Sequence, residues 1–464
     1  MPSIAFTSPL PVSAARAFAW HEANGAFERL NPPWAPATVL SSDGSINNGA
    51  RVSLKVPLLG PISATMRVVH EDYQLNKQFC DRQEFGPFRA WKHTHQFEST
   101  GPNSCDLIDT IEYELPWNGT RVGLLARHAE RQLNSVFTYR HSVTASDLSR
   151  FVSPLENRIA VTGSSGLVGS SLVPFLTAGG ATVNRLVRTR TAASSSHILW
   201  NPERGYVDTD RLAGIDTIVH LAGAGIADRP WTQHRKTTLR SSRVEGTSTI
   251  VQGLRSLNSP PKTLICASAV GFYGPRADEM LYETSPKGVG FLADLCEAWE
   301  HQALEAERLG IRVVILRFGV ILSPLGGALR KLLPVFKAGL GGPIGTGLAY
   351  FPWTSIEDVL GVIHRAIIDS SIKGIYNLTS PSPITNREFA KTLGTVLHRP
   401  TIIPVPEMVL RAMLGEMAEQ TLIASQRVVP RRLMEADYPL EGDISHYLQK
   451  QLGAARKFNP RKSV

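Results

Sequence analysis

The stretch Asn157-Arg158-Ile159-Ala160-Val161-Thr162-Gly163-Ser164-Ser165-Gly166-Leu167-Val168-Gly169 constrains the fold more than any other part of this chain. A short apolar run, Ile159 to Val161, enters a glycine-rich turn. The chain leaves it through Leu167, Val168, Leu172, Val173 and Leu176 at helical spacing. That order is strand, tight turn, helix. Gly163 allows a sharp turn, Gly166 lets the backbone approach a pyrophosphate with no Cβ in the way, and Gly169 lets helix pack on strand. The N–H groups at the helix start then face phosphate oxygens. A second apolar segment, Ala181 to Val187, stands where the next parallel strand belongs. The cradle is expected to comprise Gly163, Ser164, Ser165, Gly166, Leu167 and Val168.

The Gly-x-x-Gly-x-x-Gly spacing resembles that of extended and atypical short-chain dehydrogenase/reductases. An NAD-preferring site of this kind carries Asp or Glu at the end of the second strand, for the ribose hydroxyls. Here the chain reads Leu186-Val187-Arg188-Thr189-Arg190. A guanidinium offers a planar fork of donors to a 2′-phosphate, so Arg188 points to NADP rather than NAD.

At 464 residues the chain is too long for one ordinary core, and two or three domains are expected. With 42% hydrophobic and 19% charged residues it has the composition of a folded soluble protein. No apolar run has membrane-spanning length, and no basic-then-apolar leader opens the sequence. Cys80, Cys105, Cys266 and Cys296 lack Cys-x-x-Cys spacing, which predicts free thiols and a cytoplasmic setting. The net charge of +9 is spread out, apart from a tail with Arg456, Lys457, Arg461 and Lys462. No nucleic-acid partner is expected, and the oligomeric state is not legible.

The first 150 residues follow another rhythm. Ile4 and Phe6 alternate in a strand, and Ser13 stands as cap for a helix through Phe18 and Trp20. A short helix with Phe27 and Leu30 is followed by strands at Thr38 to Ser41, Ala50 to Pro57, Ile62 to Asp72, Gln78 to Glu84, Ala90 to Glu98 and Asp106 to Leu115. A long amphipathic helix follows, with Leu124, Leu125, His128, Leu133, Val136 and Phe137 near one face. This order resembles the α+β helix-grip fold of the START-like (polyketide cyclase/SRPBCC) superfamily, as does the string Phe85 to Phe97. The resemblance implies a cavity for an apolar or lipid-like small molecule. Alternation puts Trp91, His93, His95 and Phe97 on one face. Two histidines without an identified third ligand do not make a metal site, so no metal is expected.

A linker is placed at Leu148 to Glu156. The expected organisation is a START-like domain over 1–150, an α/β doubly wound Rossmann domain over 157–400, and a small C-terminal substrate-side portion over 401–450. Asp216 to Gly225 reads as another buried strand, whose end, Leu221-Ala222-Gly223, lines the cofactor crevice. The segments Gly163–Gly169, His220–Gly225, Ser268–Gly274, Phe291–Glu300, Arg317–Leu322 and Trp353–Val359 resemble, in that order, the atypical short-chain reductases of the NAD-dependent epimerase/dehydratase type. Pro404 to Pro430 resembles the small module that accompanies them, with a further helix from Met408 to Ala418.

The Tyr-x-x-x-Lys pair of working short-chain reductases is missing after Gly169. The helix where it belongs begins Phe291-Leu292-Ala293-Asp294-Leu295. Ser268 remains as a group to polarise a substrate oxygen beside the cofactor, unless that role falls one register on, at Ala269. Tyr273 remains as a substitute acid. Glu283 and Asp294 are further carboxylates near the cleft, and Arg317, Trp353 and Asp358 stand at its edge or serve in packing and capping. Two functions compete: an NADP-dependent oxidoreductase or epimerase-like enzyme, which the reading favours, and an NADP-binding sensor without turnover.

Overall fold

The computed structural model of the chain describes residues 2–59, 62–116, 123–189 and 196–454. It divides into two compact units, Met1–Leu155 with Pro174–Ala181 and Gln449–Val464, and Glu156–Val173 with Thr182–Leu448.

The first unit contains β1 (Ser3–Leu10), α1 (Ala14–Glu22), α2 (Ala26–Leu30), β2 (Thr38–Ser42), β3 (Arg51–Leu59), β4 (Ile62–Gln74), β5 (Gln78–Phe85), β6 (Ala90–Gly101), β7 (Ser104–Glu114) and α3 (Gly123–Arg150). Its seven strands form one antiparallel sheet in the order β1-β7-β6-β5-β4-β3-β2. Ser13 caps α1 by accepting from the Arg16 N–H, which satisfies one donor of the first turn. Strand alternation turns Phe79, Phe97, Cys105 and Leu107 inward, where they meet Phe18 and Trp20 of α1 and Leu148 of α3. A second cluster holds Ile111, Tyr113 and Phe137, with half-buried Phe88, Trp91, Leu133 and Val136 around it. The side chains of Leu124 and Leu125 lie outside the described residues. Ser149 and Arg150, expected in the linker, form the last turn of α3. The buried fork of Arg29 on Asp147, at 2.8 Å through both nitrogens, anchors that turn.

The second unit is a doubly wound sheet. Its elements are β8 (Arg158–Thr162), α4 (Leu167–Gly179), β9 (Thr182–Val187), β10 (His197–Asn201), β11 (Tyr206–Val207), β12 (Thr217–His220), α5 (Gln233–Arg255), β13 (Thr263–Ala269), α6 (Phe291–Leu304), β14 (Arg312–Phe318) and β15 (Gly374–Leu378). The strand order is β11-β10-β9-β8-β12-β13-β14-β15, parallel throughout except for β11. The order reverses between β8 and β12, and ligands of such sheets bind at the carboxyl ends of the strands beside that reversal. Central strands buried on both faces read as continuous apolar runs, as in Ile159–Val161 and Val313–Leu316.

The C-terminal part carries α7 (Asn386–Leu397), opened by a capping box of Thr385 and Glu388, and α8 (Glu407–Leu414). The helix expected from Met408 to Ala418 stops at Leu414, because Gly415 takes a positive φ of 55° and turns the chain away. All four cysteines are buried and unpaired. Among the described residues no helix is long and apolar enough to cross a membrane.

Candidate functional site

The turn between β8 and α4 is built by close backbone approach. Gly163 has φ +65°, and a Cβ there would sit 2.9 Å from the Leu221 carbonyl carbon. A Cβ on Gly169 would overlap the Gly163 carbonyl oxygen, which also accepts from the Gly166 N–H at 2.9 Å. Ser165 and Gly166 are exposed; Ser164, Leu167 and Val168 are half-buried. The turn is therefore held tightly from behind while its tip and the first turn of α4 stay accessible.

Thr162, just before the glycines, joins this turn to the next strand end. Its hydroxyl oxygen accepts from the Leu221 and Ala222 N–H groups at 3.0 and 3.1 Å. With its oxygen so occupied, the hydroxyl donates to His220 Nδ1 at 2.8 Å. That fixes the proton of His220 on Nε2, which donates to Thr247 Oγ1 at 3.0 Å, and Thr247 donates to the Arg243 carbonyl. Burial, and then the charge of Arg243, lower His220 to about 3, so the ring stays neutral. This chain bends Leu221-Ala222-Gly223 beside the glycine turn, across the strand-order reversal. Gly223 is exposed there, and the Arg243 guanidinium packs behind it, donating to the Ala224 carbonyl at 3.0 Å. Thr162, His220, Thr247 and Arg243 carry this geometry, and no local motif marked them. The remaining signal was polar residues on an otherwise apolar strand end and helix face.

Arg188 follows the last residue of β9 and is exposed, with no ion pair among the described residues. Arg190 lies outside the described residues, as do Arg456, Lys457, Arg461 and Lys462 of the tail.

Ser268 and Tyr273 sit in a buried polar network. Ser268, 2% exposed, donates to Glu300 Oε1 at 2.6 Å. Glu300 also receives Arg317 through Nε and Nη2 at 2.8 and 2.7 Å. Arg317 Nη1 donates to the Tyr273 hydroxyl at 2.9 Å, and that hydroxyl donates to Asn377 Oδ1 at 2.7 Å. The guanidinium carbon lies 3.5 Å from the Phe272 ring centroid. Tyr273 is 0% exposed, and burial raises its phenol against the pull of Arg317. Neither hydroxyl is accessible in this geometry. Alternation at the end of β13 leaves Ala269, not Ser268, half-buried.

The other carboxylates divide by environment. Burial raises Glu283, whose Oε1 accepts from the N–H groups of Asn377 and Arg432 at 3.1 and 3.3 Å. Asp294 is exposed and pairs with Lys287 at 2.9 Å. Asp358, buried, accepts from the Glu441 N–H at 3.1 Å, and Trp353 is 1% exposed. Asp358 thus holds the backbone at Glu441 while Ser355 caps its helix through the Asp358 N–H, and Trp353 is packed in the core. The stripe Leu295, Trp299 and Ala303 of α6 is core.

In the first unit, His93 and His95 are buried on the face that α3 covers, as alternation predicted. They are not alone. Asp81 of β5 stands opposite His93 and Asp109 of β7 opposite His95. Sequence reasoning missed both carboxylates, because they join the histidines through cross-strand register rather than through spacing along one strand.

A family model described as the NAD dependent epimerase/dehydratase family matches residues 159–379, and a domain of unknown function matches 405–439. Epimerase family protein Mb2239 of Mycobacterium bovis is 42% identical over 280 residues, which is 60% of this chain and 92% of that protein. The human epimerase family protein SDR39U1, solved with NADPH, is 31% identical and superimposes with a TM-score of 0.57 over 64% of this chain and 99% of its own. The crystal structure of a nucleoside-diphosphate sugar epimerase from Corynebacterium glutamicum is 29% identical. It superimposes with a TM-score of 0.78 over 98% of this chain and 91% of its own, a span that includes the N-terminal sheet.

Proposed function

The chain belongs to the epimerase family of NAD(P)-binding enzymes, and from that premise we propose that it is an NADP-dependent oxidoreductase or epimerase-like enzyme acting on an apolar small molecule. One observation carries the cofactor choice: an exposed arginine, Arg188, directly follows β9, where an acid would select NAD. The human relative solved with NADPH supports the same choice.

The cradle fits a dinucleotide. Gly163 and Gly169 let the backbone close up behind it, where a Cβ would overlap Leu221 or Gly163, and the Thr162–His220–Thr247 chain keeps Leu221 to Gly223 beside it. In this reading Gly163 to Val168 hold the pyrophosphate, Arg188 the 2′-phosphate, and Leu221 to Gly223 flank the dinucleotide. NADP supplies hydride exchange at its nicotinamide carbon. Ser268 and Tyr273 act as positioning residues. Through Glu300 and Arg317 they fix the ends of β13 and β14, where the substrate face of the crevice begins. Hydride transfer needs a positioned acceptor rather than a tyrosine. A missing general acid slows it by about two to four orders of magnitude without forbidding it.

The N-terminal sheet with its long helix is read as a START-like domain that binds an apolar or lipid-like molecule. Half-buried Phe88 and Trp91, with ring centroids 4.8 Å apart, pack against the cluster of Ile111, Tyr113 and Phe137, and this aromatic lining supports that reading. The proposed domains remain 1–150, 157–400 and 401–450.

Titration of the purified chain with NADPH and NADH is expected to show tighter NADPH binding. Arg188→Ala should cut the preference by about 10- to 100-fold, the worth of charge-assisted hydrogen bonds to a phosphate. Tighter NADH binding by the unaltered chain would refute the assignment.

A further inference from the structure

Strands β4 to β7 bring a set of imidazoles and carboxylates together beneath α3. The register pairs His70 with Asp81, Asp81 with His93, and His95 with Asp109. Asp109 Oδ1 lies 2.7 Å from His95 Nδ1 and 3.4 Å from His93 Nε2, so one carboxylate oxygen takes one nitrogen from each ring. The two remaining nitrogens, His95 Nε2 and His93 Nδ1, each lie 3.8 Å from a single atom, Asp81 Oδ2. That is too long for a hydrogen bond. It is short enough for one ion to reach all three, since zinc bonds to nitrogen and oxygen are about 2.0–2.2 Å. One ligand atom from each of Asp81, His93 and His95 lies within 4.8 Å of the others.

The surroundings match those of ligating histidines. Such rings give their second nitrogen to a carboxylate that is itself held in place. Here that carboxylate is Asp109, whose Oδ2 meets His141 Nε2 at 3.0 Å, while His141 Nδ1 meets Ser8 Oγ at 2.7 Å. Asp81 is held from the other side, with its Oδ1 2.7 Å from His70 Nδ1. On the side away from the three ligand atoms, His70 Nδ1 with Asp81 Oδ1, and His93 Nε2 and His95 Nδ1 with Asp109 Oδ1, are buried and face each other at 2.7–3.4 Å without aligned hydrogen bonds. The carboxylates of Asp81 and Asp109 carry the two negative charges that a divalent cation would cancel on displacing any ring proton from the histidines.

We propose that Asp81, His93 and His95 bind a divalent first-row transition-metal ion, with Asp109 orienting both histidines from behind. Two nitrogens and one carboxylate oxygen suit zinc or its neighbours and not calcium or magnesium, which take oxygen ligands. Three protein ligands leave at least one position for water or a bound molecule. The site lies wholly within the first unit and does not rest on the nucleotide assignment.

The test is calorimetric titration of the full chain, stripped with chelator, with Zn²⁺. The expected result is one ion per chain, with no comparable uptake of Ca²⁺ or Mg²⁺. His93→Gln and His95→Gln should each weaken binding by at least about 100-fold, and Asp109→Asn by about 10- to 100-fold. Asp81→Asn, at a side chain 22% exposed, is the change least able to disturb the core, and it should weaken binding by at least about 10-fold. Because a core variant can misfold, the unaltered chain is also loaded with Co²⁺. A low-coordinate visible spectrum supports the site, and a spectrum equal to that of hydrated Co²⁺ overturns it. No stoichiometric zinc, or binding that survives unchanged in the His93, His95 and Asp81 variants, likewise overturns it.

Discussion

The two units each bury charge against a sheet, and they do so in opposite ways. In the doubly wound unit Arg317 meets Glu300 fork to fork, Ser268 and Tyr273 complete the pairing, and Asn377 takes the last proton. Each of these donors has an aligned acceptor. In the N-terminal unit Asp81, His93, His95 and Asp109 crowd together, with short distances and misdirected bonds. The satisfied network locks strand ends in place, and the other brings one possible ligand atom each of Asp81, His93 and His95 within 4.8 Å of one another. Burial alone did not separate the two, since both clusters consist largely of side chains under 10% exposed. Hydrogen-bond geometry did.

The largest expected effect breaks the satisfied network. Arg317→Leu strands Glu300 as an unpaired buried charge and should cost about 3–5 kcal/mol in urea unfolding. Asp81→Asn in the metal-free chain should cost less than half of that, because its partners are not aligned. Equal losses would erase the contrast. Next comes Tyr273→Phe, which leaves Asn377 Oδ1 without its donor and should cost about 1–1.5 kcal/mol. NADPH affinity should be unchanged, as a positioning role requires. A large loss of cofactor binding at full stability would move Tyr273 into the cofactor site.

The effect that vanishes at neutral pH concerns His220, a buried histidine with no carboxylate beside it among the described residues. Its folded value of about 3 lies below the ordinary histidine value of 6.5, so the unfolded chain binds the proton first as pH falls. Stability from this group is full above pH 6.5 and is lost as pH falls toward 3, by at most about 1.4 kcal/mol per pH unit. His220→Gln should flatten that part of the melting-temperature profile. An unchanged slope would show that the ring is protonated in the folded chain.

How legible these regions were in the sequence follows from the range of the interactions. The glycine turn, its strand and its helix are neighbours in the chain, and their residues state the geometry directly. Strand alternation likewise put His93 and His95 on the inner face. Asp81 and Asp109 were invisible because they belong to adjacent strands, and a shift of one residue in either pairing would have pointed them elsewhere. Glu300 lies 32 residues from Ser268 and 17 from Arg317, so their network forms only when α6 packs on β13 and β14. The missing Tyr-x-x-x-Lys pair was legible, and α6 buries Leu295, Trp299 and Ala303 along its apolar stripe. Met408 to Ala418 shows the limit of helical periodicity. The apolar repeat continued past Gly415, where the helix breaks at a positive φ and resumes as the separate π-turn Ala418–Leu422.

The enzyme assignment is tested most directly by isotope transfer. The purified chain would be incubated with NADPH deuterated at the nicotinamide C4, and the small molecules extracted from it compared by mass spectrometry before and after. The account predicts that one co-purified apolar molecule gains deuterium while the cofactor loses it, and that Arg188→Ala slows the exchange at low NADPH. Tightly bound NADPH that keeps its deuterium, with every extracted molecule unchanged in mass, would contradict it.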